Sequence, residues 1–301
     1  MYVPMLRLLT TRAHLMRIDD TKSALRTRLL SAFLFVLQTA PEELLAAMWR
    51  QLLLGCRNCG RSEFPSKSLG RGDLNSDPSF DPTLLGVFDL LNLSLASLEY
   101  SPATSAPGKQ KTDAEDHRMW FSHDANMIVL KTARSVVNEL LYLLDPSTTS
   151  TSKDGKDLHT KHVVHLHAEG VTGPFSVADV ATIVRTVASV YLHGLSLHIS
   201  DAAAISFISA SVELLKAVGL NLFLVALEDT LQDWMRVLFL HTGARRATVR
   251  VQALEFIVLL LRANWTAFGN LTTLKTPSLA VFGEVCEKMA LSALKESDHT
   301  R

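Results

Sequence analysis

Three groups of residues in the 301-residue chain have types and spacings that chemistry could use. Cys56-Arg57-Asn58-Cys59 sets two thiols two residues apart, which lets both reach one tetrahedral zinc ion. A structural zinc site needs four ligands, and no second pair of suitable spacing exists, so the pair reads as incidental at a helix end or loop. His159, His162, His165 and His167 could converge on a metal from an extended segment, but no Asp or Glu lies in register with them. A solvated loop or short β-excursion is the plainer reading. Arg245, Arg246 and Arg250 gather where a long helix begins, and positive charge there opposes the helix dipole. They could meet an acidic partner, but the favoured reading is a solvated rim or bonds to carbonyls of the preceding helix.

The motifs of nucleotide and hydrolase chemistry are missing. Neither GxGxxG nor GxxxxGK[ST] occurs to cradle a phosphate, and no Gly-x-Ser-x-Gly elbow presents a nucleophile. No catalytic, cofactor-binding or metal-binding residue is therefore assigned. Lys plus Arg equals Asp plus Glu at 30 each, so no net field attracts nucleic acid or an anionic membrane. Three cysteines in so long a chain, Cys286 being the third, make no disulfide scaffold, and a reducing cytoplasm is expected. The sequons at Asn92, Asn264 and Asn270 are read as unused, the first two because they fall within or at the end of predicted helices. Arg7, Arg12 and Arg17 among apolar residues resemble a transit peptide until Asp19 and Asp20 interrupt them. The longest apolar runs, 32–37 and 256–261, are far short of the ~20 residues that span a bilayer, so no transmembrane segment is expected.

The elements behind these residues are helices, and the 48% hydrophobic content supplies their core. From Lys22 to Gln38, Leu25, Leu29, Ala32 and Val36 make one stripe and Leu30, Phe33 and Leu37 another, which predicts burial on more than one side. Pro41, Glu42 and Glu43 open the next helix, which runs to about Gly55. Asp124 is read as the N-cap of a helix that Pro146 stops. Ser176 and Asp179 start a helix with Val177, Val180, Val184, Val187 and Tyr191 as its core row. Asp201 is read as the cap of the next, which buries Ile205, Ile208, Val212 and Leu215 and ends at Gly219. Helices from about Leu227 to His241, from about Arg245, and to about Leu294 complete the array. Polar, aperiodic inserts at 56–82, 101–121 and 147–174 are expected to be mobile.

The stretch from Ala247 to Trp265 organises the rest. Val251, Leu254, Val258, Leu261 and Trp265 form one apolar row, and Val249, Ala253, Phe256 and Leu260 form a second on the other side of the wheel. Two rows predict a helix sandwiched between neighbours, in which Val258→Asp would bury an unpaired carboxylate and unfold the region. The fold class expected is all-α: an armadillo/HEAT-like α-solenoid of antiparallel helix pairs with polar loop inserts. Residues 1–21 are taken as an N-terminal segment, 22–295 as the array and 296–301 as a tail.

The run Thr248-Val249-Arg250, Gln252-Ala253, Leu259-Leu260, Arg262, Asn264-Trp265, Gly269-Asn270 and Lys275 resembles the armadillo-like helical region of DOCK (dedicator of cytokinesis) proteins that precedes their DOCKER domain. Phe88-Asp89-Leu90-Leu91, Leu98-Glu99-Tyr100 and Ala125-Asn126-Met127-Ile128-Val129-Leu130 look like earlier helices of that region in the same order, so the resemblance covers roughly residues 22 to 293. Where the family carries a polar residue this chain has Pro277, and the last helix is expected to bend or start late. In that family the DOCKER domain catalyses guanine nucleotide exchange on Rho-family GTPases of the Rac or Cdc42 type. The resemblance implies a non-catalytic scaffold segment of such a factor, a fragment or partial gene product whose catalytic domain lies outside this chain. Its small GTPase would bind through that missing domain, and membrane recruitment would fall to other parts of the parent protein. The alternative is a stand-alone adaptor that binds a peptide or helix in the solenoid groove.

Overall fold

Prolines, glycines and short polar side chains set the helix ends. The computed structural model describes residues 2–16, 23–55, 80–97, 113–144, 175, 177–197, 199–219, 230–271, 274–276, 278–284 and 287. Helix α1 spans Tyr2–Met16 and α2 spans Ser23–Thr39. Pro41, extended at φ −56° and ψ 143°, turns the chain into α3 (Glu42–Leu54), and its carbonyl accepts the N–H groups of Leu44 and Leu45 at 3.1 and 3.0 Å. Glu42 and Glu43 lie in that first turn, against the positive end of the dipole. Helices α4 (Thr83–Ser97), α5 (Asp113–Leu144), α6 (Val177–Ser196) and α7 (Asp201–Val218) follow. Gly219 ends α7 at φ 78°, where a side chain would be strained. Then come α8 (Leu231–Thr242) and α9 (Ala247–Phe268). The described residues contain helices and no strand.

The chain divides into two compact units, 1–219 and 220–301. In the first, α4 packs against α1 and α6, α5 packs against α3 and α7, and the pairs α4–α5 and α6–α7 also touch. Six helices thus make the contacts α1–α4–α6 and α3–α5–α7, and α2 lies against α1, α4 and α5. Trp49, Phe33, Phe80, Phe88, Tyr191 and Phe207 are fully buried there. Two glycines let helices approach closely. A Cβ on Gly86 would stand 2.7 Å from Cβ of Thr10 on α1, and one on Gly194 would stand 2.6 Å from Cζ of Phe207 on α7. Around this core, ion pairs tie helix to helix: Lys131 to Glu42 at 2.6 Å, Arg50 to Glu139, and Arg134 to Glu213.

In the second unit α8 and α9 pack together, with the Trp234 and Phe256 rings edge to face at 5.8 Å between centroids. The turn between the helices is fastened by the Arg250 guanidinium, whose Nη1 donates to the carbonyls of Ala244 and Arg245 at 2.9 and 2.7 Å. Gly269, left-handed at φ 64°, closes α9 by donating its N–H to the Trp265 carbonyl at 2.8 Å. Arg236 of α8 grips both carboxylate oxygens of Glu284, at 3.0 and 2.7 Å, in the helical residues 278–284.

Several expectations need correction. Residues 2–16, read as a separate segment, form a helix that buries Val3 and Leu6 against the first unit. Residues 80–82 close the supposed insert at 56–82 as packed chain, because Phe80 and Asp81 are buried. Helix α5 starts at Asp113 rather than at an Asp124 cap, so 113–121 are helical. Ser200, not Asp201, caps α7, its hydroxyl accepting the Ala203 N–H at 3.2 Å. Among the described side chains of α2 the row Leu30, Phe33, Leu37 is buried, together with Leu34, while Leu29 and Val36 of the other row are half-buried, Ala32 is exposed and Phe35 stands out at 64%. In α7, Ile208 and Leu215 are buried while Ile205 and Val212 stay half-buried; Ala204, Phe207, Ser211 and Leu214 face the core instead. Residues 56–79, 101–112, 147–174 and Pro277 lie outside the described residues.

Candidate functional site

The two apolar rows of α9 have opposite fates. Val249, Ala253, Phe256 and Leu260 are at most 1% exposed, with Ile257, Ala263 and Asn264 buried beside them. Val251, Leu254, Val258 and Trp265 are 51, 49, 44 and 60% exposed. The helix is thus covered on one side, and the sandwiched reading is overturned for the row that contains Val258. The physical reason is the number of neighbours: α8 is the helix that packs on α9, and one helix covers one stripe.

The uncovered row has the 3–4–3–4 spacing of a helix-pairing seam, with half-buried Leu261 completing it between Val258 and Trp265. One edge of the seam, at Ile257 and Asn264, is buried. The open edge carries Glu255 and Arg262, seven residues apart and both exposed, and neither has an ion-pair partner among the described residues. An apolar strip bordered by one acid and one base has the chemistry to bind another helix.

The chemistry-bearing residues of the sequence are not brought together. Arg245 and Arg246 are exposed, while Arg250 serves the turn described above; the expected carbonyl bonds are made, to the turn rather than to the body of the preceding helix. Cys56, Cys59, Cys286 and the histidines from His159 to His167 lie outside the described residues. Among the described residues no group of three His, Cys, Asp or Glu could hold a metal ion. Asn92 of α4 places its side-chain oxygen 3.2 Å from Nδ1 of His193 on α6. Asn264 is fully buried, and its side-chain amide has no hydrogen-bond partner among the described residues. A glycan at Asn264 would have no room, whereas Asn270 is exposed.

Asp81 was not singled out by sequence reasoning. Its carboxylate accepts the Thr83 N–H at 2.9 Å, which starts α4, and pairs with Arg7 of α1 at 2.5 Å. Burial works against its charge, but the Thr83 hydrogen bonds and the Arg7 guanidinium outweigh it and hold the carboxyl below its ordinary value. An Asp two residues before the first helical position, Thr83, was the available signal. Arg50 was also missed: it lies 4.5 Å over the Tyr142 ring while bonding Glu139, a clamp from α3 onto α5.

No family model, no curated protein and no solved structure matches this chain. The described helices give no single span long and apolar enough to cross a membrane.

Proposed function

We propose that this chain is a non-catalytic helical scaffold segment of a DOCK-like guanine nucleotide exchange factor in Rho-family small-GTPase signalling, built as an armadillo-like α-solenoid. The observation that carries this reading is the order of helix contacts in the first unit. The series α1–α4–α6 and α3–α5–α7, linked by α4–α5 and α6–α7, is what helix pairs stacked one on the next would produce, with α2 as an added helix against α1, α4 and α5. The colinear DOCK-like residues support it as well, since the run from Thr248 to Trp265 lies on the single helix α9. In this reading the chain acts in the cytoplasm, the Rac- or Cdc42-type GTPase is engaged by a DOCKER domain elsewhere in the parent protein, and the helical array holds that domain in place.

Exchange requires a surface that remodels the switch loops and disturbs the magnesium site of a GTPase. In this reading the described helix faces serve packing and helix binding, and the remodelling surface belongs to the DOCKER domain. The test is release of a fluorescent guanine nucleotide from Rac-type and Cdc42-type proteins with the purified chain in excess, and again with the chain joined to a DOCKER domain from its own reading frame. The chain alone is expected to leave release at its intrinsic rate, and the joined protein to accelerate it. Concentration-dependent acceleration by the chain alone, or a reading frame that carries no DOCKER-like sequence, overturns the assignment.

A further inference from the structure

We propose that the exposed row of α9 is a self-association surface, on which a second copy of this chain lays its own α9 antiparallel. This goes beyond the scaffold reading and does not depend on it. Val251, Leu254, Val258, Leu261 and Trp265 recur at the 3–4 spacing by which two helices interlock side by side. Four of the five are exposed, between 44 and 60%, so the seam lies open in the single chain.

Charge selects the occupant and its direction. Glu255 and Arg262 sit on the same open edge, seven residues apart, and a two-fold axis across the helix between them brings Glu255 of each copy to Arg262 of the other. With that axis set midway between Val258 and Leu261, Trp265 meets the second copy's Leu254 and Val258 its Leu261, and Glu255 lies about 3 Å along the axis from the other copy's Arg262, within reach of the two long side chains. One helix thereby satisfies both ends of the contact, as an isologous interface requires. A parallel pair would need the opposite edge to answer Glu255, and the base available there is Arg250. Arg250 is occupied, since its Nη1 holds the carbonyls of Ala244 and Arg245. The antiparallel arrangement is the one that uses free charges.

The seam runs about 21 Å along a helix about 10 Å across, by a rise of 1.5 Å per residue. That footprint falls below the ~800 Å² per partner of a standard interface, so the dimer is weak and concentration-dependent. Its dissociation constant is expected to be in the micromolar range.

Sedimentation equilibrium of the full chain over a concentration series tests this. Wild type is expected to move from monomer to dimer as concentration rises, and Val258→Asp to stay monomeric with the same circular dichroism melt at low concentration. Leu254→Lys is expected to do the same and serves if Val258→Asp folds poorly. Glu255→Arg alone and Arg262→Glu alone are each expected to weaken the dimer about tenfold, equal to about 1.4 kcal/mol. The double reversal E255R/R262E is expected to restore it. A chain that stays monomeric at every concentration overturns the proposal. So does a dimer indifferent to both apolar variants, or a double reversal that fails to rescue.

Discussion

The Phe207 ring occupies the space that a side chain on Gly194 would need, with Cζ 2.6 Å from an ideal Cβ position. Helices α6 and α7 approach at this point, and the ring also meets Tyr191 edge to face at 6.2 Å. Gly194→Ala should therefore lower stability by about 1–3 kcal/mol through overpacking, even though Ala is favoured over Gly in a helix interior by ~1 kcal/mol. Gly283 is the control, because nothing lies within 4 Å of its Cβ position. There Gly→Ala should stabilise by about 0.5–1 kcal/mol. Urea unfolding of the two variants should shift in opposite directions, and shifts in the same direction would count against the close approach at Gly194.

The Asp81–Arg7 pair predicts a response to acid. The folded-state pKa of Asp81 lies below the ordinary 3.8, so its contribution is fully present above that value and is lost as pH falls through the folded pKa. Asp81→Asn should cost about 1–3 kcal/mol at neutral pH, since it removes a charged acceptor from Arg7 and Thr83. The gap between wild type and variant should hold steady down to about the ordinary carboxylate pKa and shrink below it. A gap that widened with acid would show that Asp81 is protonated in the native state.

The helices and many of their inward residues could be read from periodicity alone. Val180, Val184, Val187 and Tyr191 are at most 1% exposed, as their 3–4 spacing predicts. What periodicity cannot tell is which of two apolar rows finds a neighbour. In α9 both rows are apolar and only one is buried, and in α2 one row is buried while Leu29 and Val36 of the other are half-buried and Ala32 is exposed, because coverage depends on which other helices pack on each face. Asp81 was hidden for a related reason: Gly, Pro and Asp around it signal a loop, yet its carboxylate is kept inside by Arg7, 74 residues away. The bonds that mark the surface of the first unit, such as Arg50 to Glu139 at a separation of 89 residues, leave no local trace.

Those surface bonds differ in worth, and burial decides which matter. Glu139 has 12% of its side chain exposed and Arg50 43%, and Arg50 also lies over Tyr142. Lys131 and Glu42 are 69 and 78% exposed. A double-mutant cycle to alanine should give a coupling energy of about 1 kcal/mol for Arg50–Glu139 and a clearly smaller one for the solvent-exposed Lys131–Glu42. Raised salt should reduce the second more than the first, since exposed charges are screened and partly buried ones less so. Equal couplings would mean that burial does not set their strength.

Helix α9 permits a direct comparison of its two faces. Phe256 and Val258 are two residues apart, so they project on nearly opposite sides of the helix. Phe256 is fully buried against Trp234, and Val258 is 44% exposed. Removing the Phe256 ring leaves a cavity that the α8–α9 pair cannot refill, so Phe256→Ala should cost about 3–5 kcal/mol. Val258→Asp puts a carboxylate where water already reaches, and should change the stability of the single chain by no more than about 0.5 kcal/mol. Thermal melts followed by circular dichroism, at concentrations too low for self-association, measure both without a contribution from dimer formation. If Val258→Asp melts as early as Phe256→Ala, the outer row of α9 is covered in solution by another part of the chain, and α9 is sandwiched after all.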